Sequence, residues 1–367
     1  MHIADFALER YFARWEFAVR HVLCASDVEP LAMGELLAMA DDDSRARWEA
    51  LRLAYTESLG LPALREAIAD LYDGIAADDV ITFAGAEEGV FVGMHAALER
   101  GDHAVVVWPA YQSLYEVARS IGADVTLVGL DPRDWSLDVD AIAAAMRPNT
   151  RLIVANFPHS PTGAQITPEQ LARLVSIAEL HGARLFSDEV YRFLEHDGRP
   201  LPAGADLSRS AVSLGVMSKS FALPGLRIGW IATRDAAFRA RLASIKDYTT
   251  ICNSAPSEML ALMALRARDD ILARSRGIVR TNLARLDAFF ARHEDRFAWV
   301  RPRAGTVCFP RYLGGDVEAF CADLVASRGV LLLPGSQFGY PGGHFRLGYG
   351  RTDMPAALDE LEAFLAG

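Results

Sequence analysis

From about residue 80 onward, short β-branched runs alternate with longer stretches of helical periodicity, and this alternation constrains the fold more than any other feature of the chain. Val80–Phe83, Ala104–Trp108, Val125–Val128, Leu152–Asn156, Ala183–Phe186 and Val212–Val216 read as buried strands. Glu88–Glu99, Gln112–Ile121, Val139–Met146 and Pro168–His181 read as the intervening helices. A strand followed by a helix and another strand favours parallel pairing, with helices covering both faces of the sheet. The fold class predicted is therefore α/β, a large domain with a mostly parallel central sheet flanked by helices. In such folds chemistry gathers at the carboxyl ends of the strands.

The chain has 367 residues, too many for one simple domain. Residues 254–296 are largely helical and read as a connector. After them come strand-like Phe297–Val300 and Thr306–Phe309, a helix near Val317–Ser327, strands near Val330–Leu333 and His344–Leu347, and a last helix from Met354. This is the pattern of a smaller α+β domain. The first 40 residues lack the alternation of the large lobe and are expected to pack on the small one. The division predicted is a large domain over 41–279, with 1–40 and 280–367 forming the small domain.

A net charge of -11, spread along the chain without a Lys/Arg-rich run, argues against nucleic acid and acidic membrane surfaces as partners. The four cysteines (Cys24, Cys252, Cys308 and Cys321) form no CxxC pair, so neither a disulfide framework nor a metal site is expected. The N-terminus carries Asp5 and Glu9 and has no apolar signal-peptide core, and no apolar stretch is long enough to span a bilayer. A cytoplasmic address is the expectation.

Three polar segments follow predicted strands. In Ser218-Lys219-Ser220-Phe221-Ala222-Leu223-Pro224-Gly225-Leu226-Arg227-Ile228-Gly229 a strand delivers a lysine into a loop of small residues. A lysine that attacks an aldehyde must be neutral part of the time, which burial near other cations promotes. The flanking hydroxyls and Arg227 are what a phosphate needs nearby. Alone, the segment is equally a surface loop with one lysine. In Ser187-Asp188-Glu189-Val190-Tyr191 an aspartate at a strand end can bond a pyridinium nitrogen and keep it protonated. Alone, that aspartate is more simply a helix cap. Asn156-Phe157-Pro158-His159-Ser160-Pro161-Thr162-Gly163 is a stiff, non-helical turn whose polar side chains can face a ligand. Ser160 precedes Asp188 by 28 residues, and Asp188 precedes Lys219 by 31.

In this order the segments resemble the class I/II aminotransferases of pyridoxal 5′-phosphate (PLP) fold type I, from roughly Tyr55 to Arg346. The family hallmarks are an N-x-P-x-N-P-T-G turn, a D-x-x-Y strand end and an S-K-x(5)-G-x-R-x-G lysine loop. The resemblance implies PLP as cofactor, with Lys219 as the Schiff-base lysine and proton carrier between Cα and C4′. It implies that Asp188 holds the pyridinium N1–H and Tyr191 bonds O3′. Ser218, Arg227 and the turn Gly85-Ala86-Glu87 match phosphate ligands, the last through backbone N–H groups at a helix N-terminus. Tyr111 matches the aromatic that stacks on the ring. Tyr55 matches a tyrosine reaching the phosphate of the neighbouring subunit, which implies a homodimer with shared active sites. Arg346 matches the arginine that grips the substrate α-carboxylate, assisted by Asn156. The substrates implied are an α-amino acid and an α-keto acid.

Two departures stand out. Ser160 occupies the place of an asparagine that bonds O3′, and a hydroxyl is shorter. Glu87 and Glu88 lie in the phosphate turn, and their charges are expected to point away. The lead function is amino-group transfer. The alternative keeps the cofactor: the N-terminal stretch Phe6–Phe12 with Ser26-Asp27 resembles the capreomycidine-synthase-like branch, which performs elimination and cyclisation on an arginine derivative. A non-catalytic PLP-fold regulator would carry a basic helix-turn-helix module that this chain lacks. A nicotinamide dehydrogenase would need a GxGxxG after a strand, and Gly85–Gly89 has the wrong spacing.

Overall fold

The computed structural model describes residues 2–366. Seven strands form the central sheet: β1 (Val80–Phe83), β2 (His103–Trp108), β3 (Asp124–Gly129), β4 (Thr150–Asn156), β5 (Arg184–Asp188), β6 (Ala211–Val216) and β7 (Gly229–Ala232), in the order β1-β7-β6-β5-β4-β2-β3. β2 to β6 run parallel, and β7 is antiparallel to both neighbours, β1 and β6. β7 is the one strand of this sheet that the alternation does not predict.

Both faces of the central strands are covered, because successive side chains take opposite sides and each side meets apolar partners. Ala104, Val106, Leu152 and Val154 pack with Met94, Val117 and Leu242 on one face. Their neighbours Val105, Val107, Ile153 and Ala155 pack with Leu171, Leu174 and Ala178 on the other. Near-continuous apolar strands are what a sheet covered twice requires.

The 25-residue helix Arg268–Arg292 leads to the second lobe. There β8 (Phe297–Ala298) pairs with β10 (Arg311–Tyr312), and β12 (Phe345–Gly348) lies between β9 (Val307–Cys308) and β11 (Leu333–Pro334). The helices Val317–Arg328 and Met354–Ala366 cover these strands through Phe320, Leu324, Leu358 and Leu361. Residues 21–29 run along this lobe: His21 bridges Val330, and the Gly348 N–H donates to the Leu23 carbonyl at 2.8 Å. Leu31, Leu36 and Ala40 instead pack against Met259, Leu262 and Leu265 of helix Ala255–Arg266. Among the described residues no helix is long and apolar enough to cross a membrane.

Candidate active site

The carboxyl ends of β4, β5 and β6 meet at one cavity. In the parallel register Asn156 lies beside Asp188, and Asp188 beside Leu214. Two residues beyond the end of β6 the chain turns, and Ser218 and Lys219 line the same cavity, of about 400 Å3. That volume lies in the range of small-molecule sites. Of the residues singled out from the sequence, Ala86, Glu87, Tyr111, Asn156, Ser160, Asp188, Tyr191, Ser218, Lys219, Arg227 and Arg346 all line it. Gly85 immediately precedes this wall. Tyr55 does not line it; its side chain is 92% exposed.

Helix Ala86–Ala97 starts two residues earlier than its apolar pattern predicts, with Gly85 as N-cap at φ 89°. Only glycine takes this backbone readily, and the space is closed as well. A Cβ on Gly85 would lie 2.5 Å from the Arg227 guanidinium, and one on Gly229 would lie 2.6 Å from the Gly85 carbonyl carbon. The turn, the first residue of β7 and Arg227 therefore fit together only because both positions are glycine. Arg227 is itself left-handed at φ 54°, a conformation that costs a non-glycine residue energy and is met most often at functional sites.

Asp188 is buried, and burial pushes its carboxyl up to about 7. The Val190 N–H, 3.2 Å from Oδ1, and the Lys219 ammonium pull it down, while Glu189 and Glu87 push it up. Half-buried Lys219 donates to Ser26 Oγ at 2.8 Å, and its Nζ lies 5.7 Å from the centroid of the Tyr191 ring. Asn156 uses both ends of its amide nearby: Nδ2 donates to the Asp188 carbonyl at 3.0 Å, and Oδ1 accepts from the Ser160 N–H at 2.8 Å. The Tyr191 hydroxyl donates to the Ser26 carbonyl at 2.9 Å, so a bond from it to O3′ needs that proton to turn.

The two acids of the turn part ways. Glu88 points away as expected, accepting from the Ala84 N–H and from Thr249 and Thr250. Glu87 corrects the expectation: it faces the cavity, accepts from Ser113 Oγ at 3.0 Å, and burial pushes its carboxyl up to about 7.

The N-terminal segment supplies a wall that the motifs do not mark. Leu8, Glu9, Phe12 and Glu16, from helix Ala7–Trp15 and its C-cap, line the cavity together with Ala25, Ser26 and Asp27. The helix is held by the Ala7 N–H, which donates to Gln112 Oε1, and by Tyr111, which donates to Glu9 Oε1 at 2.6 Å. Its apolar positions, Leu8 and Phe12, sit one turn apart. That spacing marks a helix with a buried face and leaves its partner unspecified.

Across this cavity and both lobes, the family model for aminotransferase class I and II matches residues 36–361. The chain belongs to this family. A capreomycidine synthase of Streptomyces vinaceus is 32% identical over 343 residues, covering 92% of this chain and 86% of that protein. Among solved structures, a PLP-dependent aminotransferase from Streptococcus suis superposes with a TM-score of 0.93 at 29% identity, covering 100% of this chain and 98% of that one. The PLP-dependent cyclase OrfR superposes with a TM-score of 0.91 at 31% identity and the same coverage. The protein is thus a PLP-dependent enzyme of fold type I, a member of the class I/II aminotransferases, and its cofactor is PLP.

The residues present fit this cofactor. Ser218 Oγ is buried against the cavity with no hydrogen-bond partner among the described residues. A buried hydroxyl without a partner is costly unless a ligand satisfies it. Arg227 and the N-terminus of helix Ala86–Ala97 lie beside the same cavity, as an anion requires. Asp188 is a buried carboxylate with a lysine as its one cationic neighbour of note, suited to a protonated ring nitrogen.

Proposed function

We propose that this enzyme transfers the amino group of an α-amino acid to an α-keto acid, with Lys219 forming the Schiff base to PLP. The reading is carried by one observation: the only lysine of the cavity and the buried carboxylate of Asp188 face the same 400 Å3 space. When bound, PLP supplies an electron-withdrawing ring that accommodates the electron pair left by the departing α-proton. Lys219 Nζ, released when the substrate amine takes its place on the cofactor, would accept that proton from Cα and return one at C4′. Asp188 keeps the ring nitrogen protonated. Tyr191 bonds O3′ once its hydroxyl leaves the Ser26 carbonyl, and Ser160 lies on the same wall. Ser218, Arg227 and the Gly85-Ala86-Glu87 backbone hold the phosphate, and Tyr111 covers the ring. Arg346, 2% exposed, binds the α-carboxylate, with Asn156 positioning the strand ends beside it.

A second reading, elimination and cyclisation on an arginine derivative, is favoured by the similarity to capreomycidine synthase and to the cyclase OrfR. The same residues and the same ring serve either outcome, so product analysis separates them. Amino acids should be screened for a change in the visible absorbance of the holoenzyme, and each that acts should be incubated with keto acids. The expected result is formation of the amino acid corresponding to the added keto acid. Ammonia or a cyclised product with no such amino acid would replace transfer by the second reading.

A homodimer with shared sites is part of the proposal. Tyr55 is exposed with Leu53, Tyr248 and Ile251, and the two segments adjoin, since Thr56 Oγ1 donates to the Asn253 carbonyl. Exposed apolar side chains grouped in this way suit a subunit interface. Mixed dimers of Tyr55→Phe and Lys219→Ala subunits contain one site with an intact lysine. That site should bind PLP as tightly as wild type if Tyr55 acts across the interface. Affinity as weak as in the Tyr55→Phe homodimer would assign Tyr55 to its own subunit.

A further inference from the structure

We infer that Lys246 is a positioning residue for the neighbouring subunit's cofactor: it fixes residues 56–60 so that Tyr55, just ahead of them, reaches the PLP phosphate of the other site. The inference rests on the reading of the protein as a homodimer with shared sites and adds the device that presents the shared residue.

Of the chain's 37 lysines and arginines, only Lys219 and Lys246 are lysines. Lys219 faces the cavity. Lys246, the last residue of helix Ala236–Lys246, is fully buried and does not line it. Its ammonium donates to the Ser58 carbonyl and, among the described residues, to no other group. Burial lowers its pKa, while Glu88 and Glu258 hold it up. Taking an ammonium out of water is costly, and an apolar side chain would fill the same space without that cost. What the lysine adds is a compact donor on a thin stem, able to reach one main-chain carbonyl from within the core.

The segment so gripped has no regular structure of its own. Residues 51–61 form no helix or strand, and Leu53, Tyr55, Glu57 and Ser58 are exposed. Their conformation is set by anchors from the core. Thr56 Oγ1 donates to the Asn253 carbonyl at 3.2 Å, and the Lys246 ammonium holds Ser58. The Thr82 N–H donates to the Leu59 carbonyl at 3.0 Å, and the Leu61 N–H to Oε2 of buried Glu258 at 3.0 Å. Thr82 and Asn253 both donate to Glu258 Oε1, each at 3.0 Å. Gly60, at φ 109°, closes against Thr82, where a Cβ would come within 2.3 Å of Oγ1. An exposed loop pinned by buried, mutually bonded polar groups presents its side chains in one place. Tyr55, beside the first anchor, is the aromatic that such a scaffold presents, and it does not line the cavity of its own subunit. The scaffold also touches its own phosphate turn: Glu88 accepts from the Ala84 N–H at 2.5 Å and, in the turn that follows Lys246, from Thr250 Oγ1 at 2.7 Å. A test must therefore tell the two subunits apart.

Mixed dimers with one Lys219→Ala subunit, stripped of cofactor, are titrated with PLP, and the visible absorbance band reports binding at the one intact lysine. With Lys246→Met on the Lys219→Ala subunit, the intact site receives its Tyr55 from the altered chain. Half-saturation should then need about tenfold more PLP, the worth of one hydrogen bond to a charged group. With Lys246→Met on the subunit that keeps Lys219, half-saturation should stay within about twofold of wild type, as for a site without a shared partner. Thr56→Val removes only the Asn253 anchor and should act in the same direction from the same subunit, which keeps the test open if Lys246→Met does not fold. Adding Tyr55→Phe to Lys246→Met on one subunit should cost nothing further, because both changes remove the same bond. A loss as large from the subunit that keeps Lys219, or one that adds to that of Tyr55→Phe, would overturn the inference. So would a loss from Tyr55→Phe on the Lys219→Ala subunit that neither Lys246→Met nor Thr56→Val reproduces, and the shared-site reading would then stand. Tyr55→Phe without effect from that subunit would overturn both.

Discussion

Lys219→Ala is expected to abolish the visible absorbance band of the holoenzyme and to lower turnover by about 10³-fold or more, the combined worth of a covalent anchor and a proton carrier. The chain makes this test unusually sharp, because it contains only two lysines. The other, Lys246, is buried outside the cavity, where its ammonium donates to the Ser58 carbonyl and sits 5.8 Å from the Phe83 ring centroid. Borohydride reduction followed by peptide mapping therefore has two candidate positions, and the cofactor mass should appear on the Lys219 peptide alone. The Lys219 ammonium is held by Ser26 Oγ rather than by a carboxylate, so alanine leaves one half-buried hydroxyl to rehydrate and should not unfold the protein. A Lys219→Ala enzyme that keeps a borohydride-sensitive band, with the label on another residue, would remove the assignment and the function built on it.

The parallel part of the sheet was legible because its signal is local: apolar runs on strands buried twice, each followed by a helix with its own caps. β7 was not. Its four residues, Gly-Trp-Ile-Ala, follow the lysine loop without a helix between, and they become a strand by antiparallel pairing with both β1 and β6. Nothing within the segment encodes such distant partners. Glu87 shows how a small boundary shift changes chemistry. With the helix beginning at Ala86 instead of Glu88, Glu87 lies in the first turn facing Ser113 and the cavity. Glu88, about 100° further round, is carried to Thr249 and Thr250. The motifs read as catalytic converged on the cavity because their spacing is imposed by the strands that carry them. The wall formed by Leu8, Glu9, Phe12, Glu16 and Ser26 was marked only through the family resemblance of Phe6–Phe12 and Ser26-Asp27, which says nothing of where the segment packs. Its place depends on contacts such as Tyr11 to the Leu332 carbonyl and Gln112 to Asp5, which join residues more than a hundred positions apart.

Asp188→Asn should separate function from stability in opposite directions. In the holoenzyme the asparagine cannot hold a protonated ring nitrogen by charge. Breaking a buried charge pair costs ~3–5 kcal/mol, so turnover should fall by about 10²- to 10³-fold at ~1.4 kcal/mol per decade. In protein stripped of PLP the same change should stabilise. The Asp188 carboxyl is pushed up to about 7 by burial, against about 4 in an unfolded chain. Between those values the native state binds more protons than the unfolded state, so stability falls as pH rises through this window and stays reduced above it. Asparagine has no such proton to lose. Stripped Asp188→Asn should therefore match stripped wild type near pH 4 and exceed it at pH 8 by a few kcal/mol, read from denaturant unfolding. Glu87 and Glu195, also pushed up to about 7 by burial, give the same slope in both proteins and cancel in the comparison. The substituted amide retains an oxygen for the Val190 N–H, so the local turn is not lost. Identical pH profiles in the stripped proteins, with turnover in the holoenzymes unchanged, would show that the carboxylate of Asp188 is not held ready for a cationic ring.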